Sequence, residues 1–326
     1  MKPSLQLAAC LLLAASGRAL AQAAEEQKPF SIVVLPDTQC YADTRLAFSL
    51  KHWKTGDLRP FFFKQTEWIK ANREKLNIAM VLHVGDIVQT DYDEEWQIAD
   101  QAFKTLDGTV PYCLAIGNHD MGFNPAASVF SFPKFATTRE TGFNKYFGPL
   151  RFHGKPWYGG HMGTGNENNF CLFEAGGAKF LVISLEFKPT DAALQWANQV
   201  AAAHADRRGI VLTHAFLDDR NRPSRTLDYG VSGNAGQAIW DCFVNLNRNI
   251  FLVISAHEFG ERRLVTTGQG GNRVFQVSAN YEDQHGGDGY LRIMTFTTAG
   301  NRIDVTTFSP VRDKYLEGAE SRFTLQ

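Results

Sequence analysis

Five apolar runs in this chain each end in a short turn carrying acidic, amide or imidazole groups: VVLPDTQ at 33–39, VLHVGDIV at 81–88, LAIGNHD at 114–120, VLTHAF at 211–216 and VISAHEF at 253–259. Short apolar runs closed by turn residues are the pattern of buried strands. Strand ends that offer Asp, Asn and His together predict a metal centre on the rim of a buried sheet, and with it hydrolytic chemistry.

The spacing between these runs constrains the architecture. Apolar segments at 32–35, 78–84 and 110–116 alternate with helix-like stretches at 61–76 and 93–106, as in parallel α/β crossovers. In the first helix Phe62, Trp68, Ile69 and Leu76 form the apolar stripe, with Lys64, Glu67, Arg73 and Glu74 toward water. A second series follows, with strands at 169–173, 180–185, 210–213 and 251–255 and helices at 191–206 and 235–246. Residues 262–308 read as extended. The expected fold is therefore a four-layer α/β/β/α sandwich, two mixed sheets with helices on both outer faces, in preference to a single doubly wound sheet.

Residues 121–168 break the rhythm with Phe123, Phe130, Phe132, Phe135, Phe143, Tyr146, Phe147, Phe152, Trp157 and Tyr158 among Gly and Pro. An aromatic insertion that starts directly after Gly117-Asn118-His119-Asp120 is placed to wall a pocket. The alternative is a packed surface subdomain with its own small core.

The N-terminus reads as a secretory signal peptide over residues 1–23: Lys2, an apolar stretch from Leu5 to Ala15, and a small-x-small site at Ala19-Leu20-Ala21 or Ala21-Gln22-Ala23. Cys10 suits the signal core better than a lipidated N-terminus, because the apolar run continues through Leu13. The remainder, 24–326, is expected to be one domain, secreted to a periplasm or the medium, with no later run long enough to cross a bilayer. Lys plus Arg number 33 against 34 Asp plus Glu, so no broad basic field exists and a nucleic-acid polymer is not an expected partner. Oligomeric state is not encoded in any visible pattern. Past the signal segment, Cys40, Cys113, Cys171 and Cys242 permit one or two disulfides in an oxidising compartment, and their wide spacing excludes a cysteine-built zinc site.

Asp37 and Asp86 end two neighbouring strands, where a pair of acids would repel unless a cation lay between them. The Asn118 amide oxygen can coordinate, whereas the adjacent His119 points elsewhere and can stand over the reacting group, its other nitrogen oriented by Asp120. His214 and His257 end strongly apolar strands and add nitrogen ligands. Each residue taken singly has a plainer reading as a turn, cap or core residue; the joint pattern favours a metal.

This ordered set resembles the calcineurin-like metallophosphoesterase family, whose motifs are Asp-x-His, Gly-Asp, Gly-Asn-His-Asp or Glu, an isolated His, and Gly-His-x-His. Gly85-Asp86 and Gly117-Asn118-His119-Asp120 match directly, His214 supplies the isolated His, and His257 the first His of the last motif. Gln39 stands where the first motif has His, Phe259 where the last has its second His, and Ala256 precedes His257 in place of Gly. The segment is similar to a secreted subgroup with Asp-Thr-Gln in the first motif. The resemblance implies one fuller metal position, with Asp86, Asn118, His214 and His257, and one weaker position with Asp37, bridging Asp86 and Gln39. One or two divalent ions are thus expected: Zn, Mn or Fe with the imidazoles, and Mg, Mn or Ca in the oxygen-rich position.

The activity implied is hydrolysis of a small phosphomonoester or phosphodiester by a metal-activated water, with His119 as acid and Asp120 as its support. His161, Asn166, Asn280, Tyr281 and His285, in polar loops, are candidate substrate donors. The competing class is a carbohydrate-binding or structural surface protein on a catalytically degenerate metallophosphoesterase fold, with aromatic residues of 121–168 as platforms. Hydrolysis of a non-phosphate ester is a third reading.

Overall fold

The computed structural model describes residues 28–45, 56–122 and 136–326. The signal peptide expected at 1–23 lies outside them, as do Phe123, Phe130, Phe132 and Phe135.

One sheet contains β1 (Phe30–Leu35), β2 (Ile78–His83), β3 (Tyr112–Leu114), β11 (Leu291–Thr297), β12 (Arg302–Ser309), β13 (Lys314–Leu316) and β14 (Arg322–Leu325). The other contains β4 (Tyr158–His161), β5 (Asn169–Ala175), β6 (Ala178–Leu185), β7 (Arg208–Thr213), β8 (Ile250–Ser255), β9 (Gly260–Thr267) and β10 (Arg273–Asn280). The strand orders are β13-β12-β11-β1-β2-β3, with β14 on β12, and β4-β5-β6-β7-β8-β10-β9. Both sheets are mixed. β1, β2 and β3 run parallel, as do β6, β7, β8 and β10, while the outer strands pair antiparallel.

The period of two along each central strand builds three cores at once. In β1, Phe30, Ile32 and Val34 join Met80, Leu82, Val182, Ile210, Leu212 and Ile254 between the sheets. The intervening Val33 and Leu35 face Phe62, Ile69, Trp96 and Phe103 of helices Arg59–Asn72 and Asp93–Lys104. On the far side, Leu181, Ile183, Val211 and Val253 pack beneath helices Asp191–Ala203 and Gly236–Cys242. The four-layer α/β/β/α sandwich expected from sequence is the fold. Among the described residues no helix is long and apolar enough to cross a membrane.

Boundaries differ where backbone chemistry overrides periodicity. The first long helix begins at Arg59 with Pro60 at its start, where a missing N–H costs nothing, and ends at Asn72, ahead of Asn77 with φ 47°. The stretch read as a helix over 235–246 ends at Cys242 and tightens into a 3₁₀ turn at Val244–Leu246. In the described part of the insertion, Phe143, Phe147 and Phe152 join the core formed by Trp96, Phe103 and Tyr112, so these rings enlarge an existing layer instead of building a separate one.

The disulfides that the sequence permits do not form: among the described residues no disulfide joins Cys40, Cys113, Cys171 and Cys242. Cys40 lies in the layer under the first helices, Cys113 and Cys171 in the inter-sheet core, and Cys242 is exposed at a helix end. Cys113 donates instead to Asn169 Oδ1 at 3.3 Å.

Glu95 opens a testable window on stability. It is buried in the first turn of helix Asp93–Lys104, accepting from Thr90 N at 2.8 Å and from Thr90 Oγ1 at 3.1 Å. Burial pushes its carboxyl up to about 7 against the lowering effect of the Thr90 hydrogen bonds. A carboxyl raised above its unfolded value favours folding fully at low pH, and that contribution is lost as pH rises through about 7. Glu95→Gln is expected to gain on the order of 2 kcal/mol relative to wild type between pH 5 and pH 8. Denaturant midpoints at the two pH values check this, and an unchanged difference would refute it.

Candidate metal centre

The carboxyl ends of the parallel strands in both sheets deliver the site. Leu35, His83 and Leu114 stand level as the last residues of β1, β2 and β3, so the turns that follow them meet. From the second sheet, His214 follows β7 and His257 follows β8, and the Ala256 amide donates to the His214 carbonyl at 2.8 Å.

Two glycines make the close approach feasible. Gly85 has φ 97°, and a Cβ there would lie 2.6 Å from the Gly117 nitrogen. A Cβ on Gly117 would lie 1.9 Å from Asp86 Oδ1. Only glycine in both motifs allows the Asp86 carboxylate to sit against the Asn118 loop.

Four donor atoms converge. His214 Nε2 lies 3.0 Å from Asp86 Oδ2, 3.0 Å from Asn118 Oδ1 and 3.2 Å from His257 Nδ1. Such spacings match the edges, about 3.0–3.4 Å, of a coordination shell with bonds near 2.0–2.2 Å. Asp86, His214 and His257 together form a cluster able to hold a metal ion. The donor set of two imidazole nitrogens, a carboxylate and an amide oxygen fits a divalent cation.

The surrounding hydrogen bonds aim these donors. His214 Nδ1 lies 3.0 Å from the Val84 carbonyl, which can only accept, so Nδ1 carries the proton and the Nε2 lone pair faces the cluster. The Tyr229 hydroxyl lies 3.4 Å from His257 Nε2, the nitrogen away from the cluster. Asp86 Oδ1 accepts from the His119 amide at 2.8 Å, leaving Oδ2 toward His214.

Electrostatics separate the acids. Burial would raise the Asp86 carboxyl, but His214 and His119 overcome it and bring it to about 2. Asp37 goes the other way: burial, then the charges of Glu282 and Asp86, push it well up. Both Asp37 oxygens and Gln39 Oε1 are buried without a hydrogen-bond partner. Burial, with help from His214, brings His257 down to about 3, so this imidazole is neutral at ordinary pH.

His83, which the sequence reading passed over inside VLHVGD, couples two motifs. Its Nδ1 accepts from the Gly85 amide at 3.2 Å, so Nε2 donates to Thr38 Oγ1 at 2.9 Å, and Thr38 Oγ1 donates to the Ile87 carbonyl at 3.1 Å. Burial holds His83 down at about 3.

The role expected for Asp120 is corrected. Its carboxylate accepts from the amides of Ile87 at 2.7 Å, Val88 at 3.0 Å and Gly117 at 2.8 Å, and so ties the Asp86 turn to the Asn118 turn. Backbone amides outbid the imidazole because two adjacent side chains leave the loop in different directions. The His119 ring is held by Gln89, whose carbonyl lies 2.8 Å from Nδ1, with Nε2 on the side of Asp86 Oδ2 at 3.9 Å.

The proposed substrate donors scatter. Asn280 reaches the site, donating to the His257 carbonyl at 3.1 Å. Tyr281 is buried and bonded to Glu261 at 2.7 Å and Thr307 at 2.9 Å, so it is a core residue. Asn166 is likewise structural, buried and donating to the Phe147 carbonyl at 2.8 Å. His161 lies on β4 with its ring over Tyr158, and His285 is exposed beside Asp288 at 3.7 Å. Phe259 is 50% exposed. Sequence reasoning missed Gln89, Tyr229 and Glu282, none of which falls in a motif.

Comparison with known proteins places this geometry. The profile of the family described as calcineurin-like phosphoesterase matches residues 31–260. The chain is 33% identical over 298 residues to the uncharacterized protein YvnB of Bacillus subtilis (strain 168), an alignment covering 87% of this chain and 20% of that protein. It thus spans about a fifth of the length of the curated relative it matches. In fold it is similar to the purple acid phosphatase PPD1 from yellow lupin (Lupinus luteus) seeds, with TM-score 0.54, 14% identity, and coverage of 91% of this chain and 54% of that one. At that identity the likeness concerns the fold alone. The profile match runs from β1 to the start of β9 and takes in all of the converging turns, and the chain belongs to the calcineurin-like phosphoesterase family.

Proposed function

We propose that this protein is a metal-dependent phosphoester hydrolase acting on a small phosphomonoester or phosphodiester. The observation that carries this is the convergence of Asp86 Oδ2, Asn118 Oδ1 and His257 Nδ1 within 3.0–3.2 Å of His214 Nε2. A bound divalent cation supplies Lewis acidity toward the phosphoryl group and lowers the pKa of water. Asp86, Asn118, His214 and His257 hold it, and the imidazoles suit Zn, Mn or Fe.

The chain's own groups do the rest. With Nδ1–H held by the Gln89 carbonyl, a protonated His119 Nε2 donates to the leaving oxygen or stabilises its developing charge. Asp120 keeps the two loops in register, so His119 and Asp86 stay at a fixed spacing. The Asn280 side chain braces the His257 turn. Of the rings that a carbohydrate-binding reading would use as platforms, Phe143, Phe147 and Phe152 are buried and so do not serve it.

We assign the chain to the Asp-Thr-Gln subgroup of its family and to secretion, on the strength of Asp37-Thr38-Gln39 and the signal-like pattern at 1–23. Elemental analysis of gently purified protein, followed by stripping and readdition of Zn, Mn, Fe, Mg or Ca, tests the function with an aryl phosphate and an aryl phosphodiester. Metal-dependent turnover of either substrate is expected. A protein that binds no metal and hydrolyses neither would refute the proposal.

A further inference from the structure

Asn280 braces the carbonyl of the His257 turn, but the imidazole itself is held by a loop that no motif marks. His257 has φ 71°, a left-handed conformation uncommon for a residue with a side chain, so its backbone is a poor guide for the ring. Neighbouring rings fix it instead. Phe187, buried just past the end of β6, has its ring centroid 5.8 Å from that of His257, and Tyr229 stands at the same 5.8 Å. Phe187 and Tyr229 meet edge to face at 4.9 Å and 86°. Held against these rings, His257 turns Nδ1 to His214 Nε2 at 3.2 Å and Nε2 to the Tyr229 hydroxyl at 3.4 Å.

Tyr229 lies in the connection between His214 and helix Gly236–Cys242, and that connection is fastened on both sides of it. The Lys188 Nζ donates to the Leu227 carbonyl at 2.9 Å, and the Val231 amide donates to the Ala136 carbonyl at 2.8 Å. Arg139 closes the arrangement. Its Nη1 donates to Glu186 Oε2 at 2.6 Å, and its Nη2 donates to the Lys188 carbonyl at 2.8 Å and to the Ser232 carbonyl. Glu186 adjoins Phe187, so one guanidinium ties the turn that carries Phe187 to the loop that carries Tyr229. The fixed fork of a guanidinium suits three acceptors at once, which a single ammonium does not reproduce.

We infer that Tyr229 is the positioning residue of the His257 imidazole, and that Arg139 acts through the Tyr229 loop to keep it there. This rests on the metal-dependent reading above and adds to it how one donor is aimed. An imidazole that offers its Nδ1 lone pair carries its proton on Nε2, and that N–H requires an acceptor. For His214 the corresponding acceptor is the Val84 carbonyl, a backbone group that any sequence supplies. For His257 it is the Tyr229 oxygen, a side-chain group that a single substitution removes.

Full-length wild type, Tyr229→Phe, Arg139→Gln and the double variant, each stripped of metal and checked for native circular dichroism, are titrated with Zn²⁺ by calorimetry and loaded with Co²⁺ for visible absorption. Tyr229→Phe keeps the ring and removes only the oxygen; it is expected to weaken Zn²⁺ binding by about 10-fold or more and to shift the Co²⁺ bands. Arg139→Gln leaves Tyr229 intact and covers the case in which the Phe variant does not fold; it is expected to weaken Zn²⁺ binding by about threefold or more. The double variant should lose little beyond Tyr229→Phe alone, because both changes act on one ring. A tyrosine that only packs would lower the melting temperature of the metal-free variants and leave Zn²⁺ affinity and Co²⁺ bands as in wild type, and that result overturns the assignment of Tyr229. Losses that add in full overturn the route from Arg139 through Tyr229. Wild type that binds neither ion refutes the metal-dependent reading itself, and this assignment with it.

Discussion

Alanine at His214 is expected to abolish metal retention at the imidazole-bearing position and to lower hydrolysis by at least ~10³-fold. His214 Nε2 is the common neighbour of the other donors, within 3.2 Å of Asp86, Asn118 and His257. Its removal leaves Asp86 buried without the imidazole that lowers its carboxyl, so the remaining donors lose both a ligand and a charge partner. Asp86→Ala should act similarly, but it also deletes the acceptor of the His119 amide and so disturbs the acid loop as well. Asp86→Asn separates these consequences, because an amide oxygen can still accept from His119 while the charge is gone. The measurement is metal content by elemental analysis alongside turnover, on variants whose circular dichroism is native. Full occupancy and turnover in folded His214→Ala would overturn the ligand assignment.

Alanine at His119 is expected to behave differently. It removes no ligand of the imidazole-bearing position, so metal content should be unchanged while turnover of an alkyl phosphoester falls by roughly 10²–10⁴-fold. The loss should shrink with an aryl leaving group, which departs without needing a proton. Gln89 holds the ring through its backbone carbonyl, so a side-chain change there cannot imitate the defect fully, and Gln89→Ala should cost far less than His119→Ala. Equal losses on alkyl and aryl substrates would show that His119 positions or neutralises charge and does not transfer a proton.

Much of this molecule is legible locally. β1, β2, β7 and β8 are apolar on both faces because each lies between the inter-sheet core and a helical layer, and that double burial is what makes them stand out as short apolar runs. The helix ends at Asn72 and Cys242 were less legible, since turn conformations and the 3₁₀ turn at Val244–Leu246 break the period without breaking the apolar pattern. The substrate donors failed for a related reason: a polar residue in a polar loop carries no mark of where its side chain points. Tyr281 turns inward to Glu261 and Thr307, whereas Asn280, one residue earlier, turns to the His257 loop.

The sequence by itself determined the layered architecture and the converging set of Asp86, Asn118, His214 and His257, because each closes an apolar strand and the glycines before Asp86 and Asn118 mark where backbones must touch. Tertiary structure alone decided that Asp120 locks the two loops through backbone amides, that the Gln89 carbonyl orients His119, and that His83 joins the Thr38 and Gly85 turns. Those assignments depend on which strand lies beside which. A ligand at a strand end is a property of its own segment, but its partner arrives from a strand that the chain reaches only after crossing the sheet, and no local pattern records that pairing.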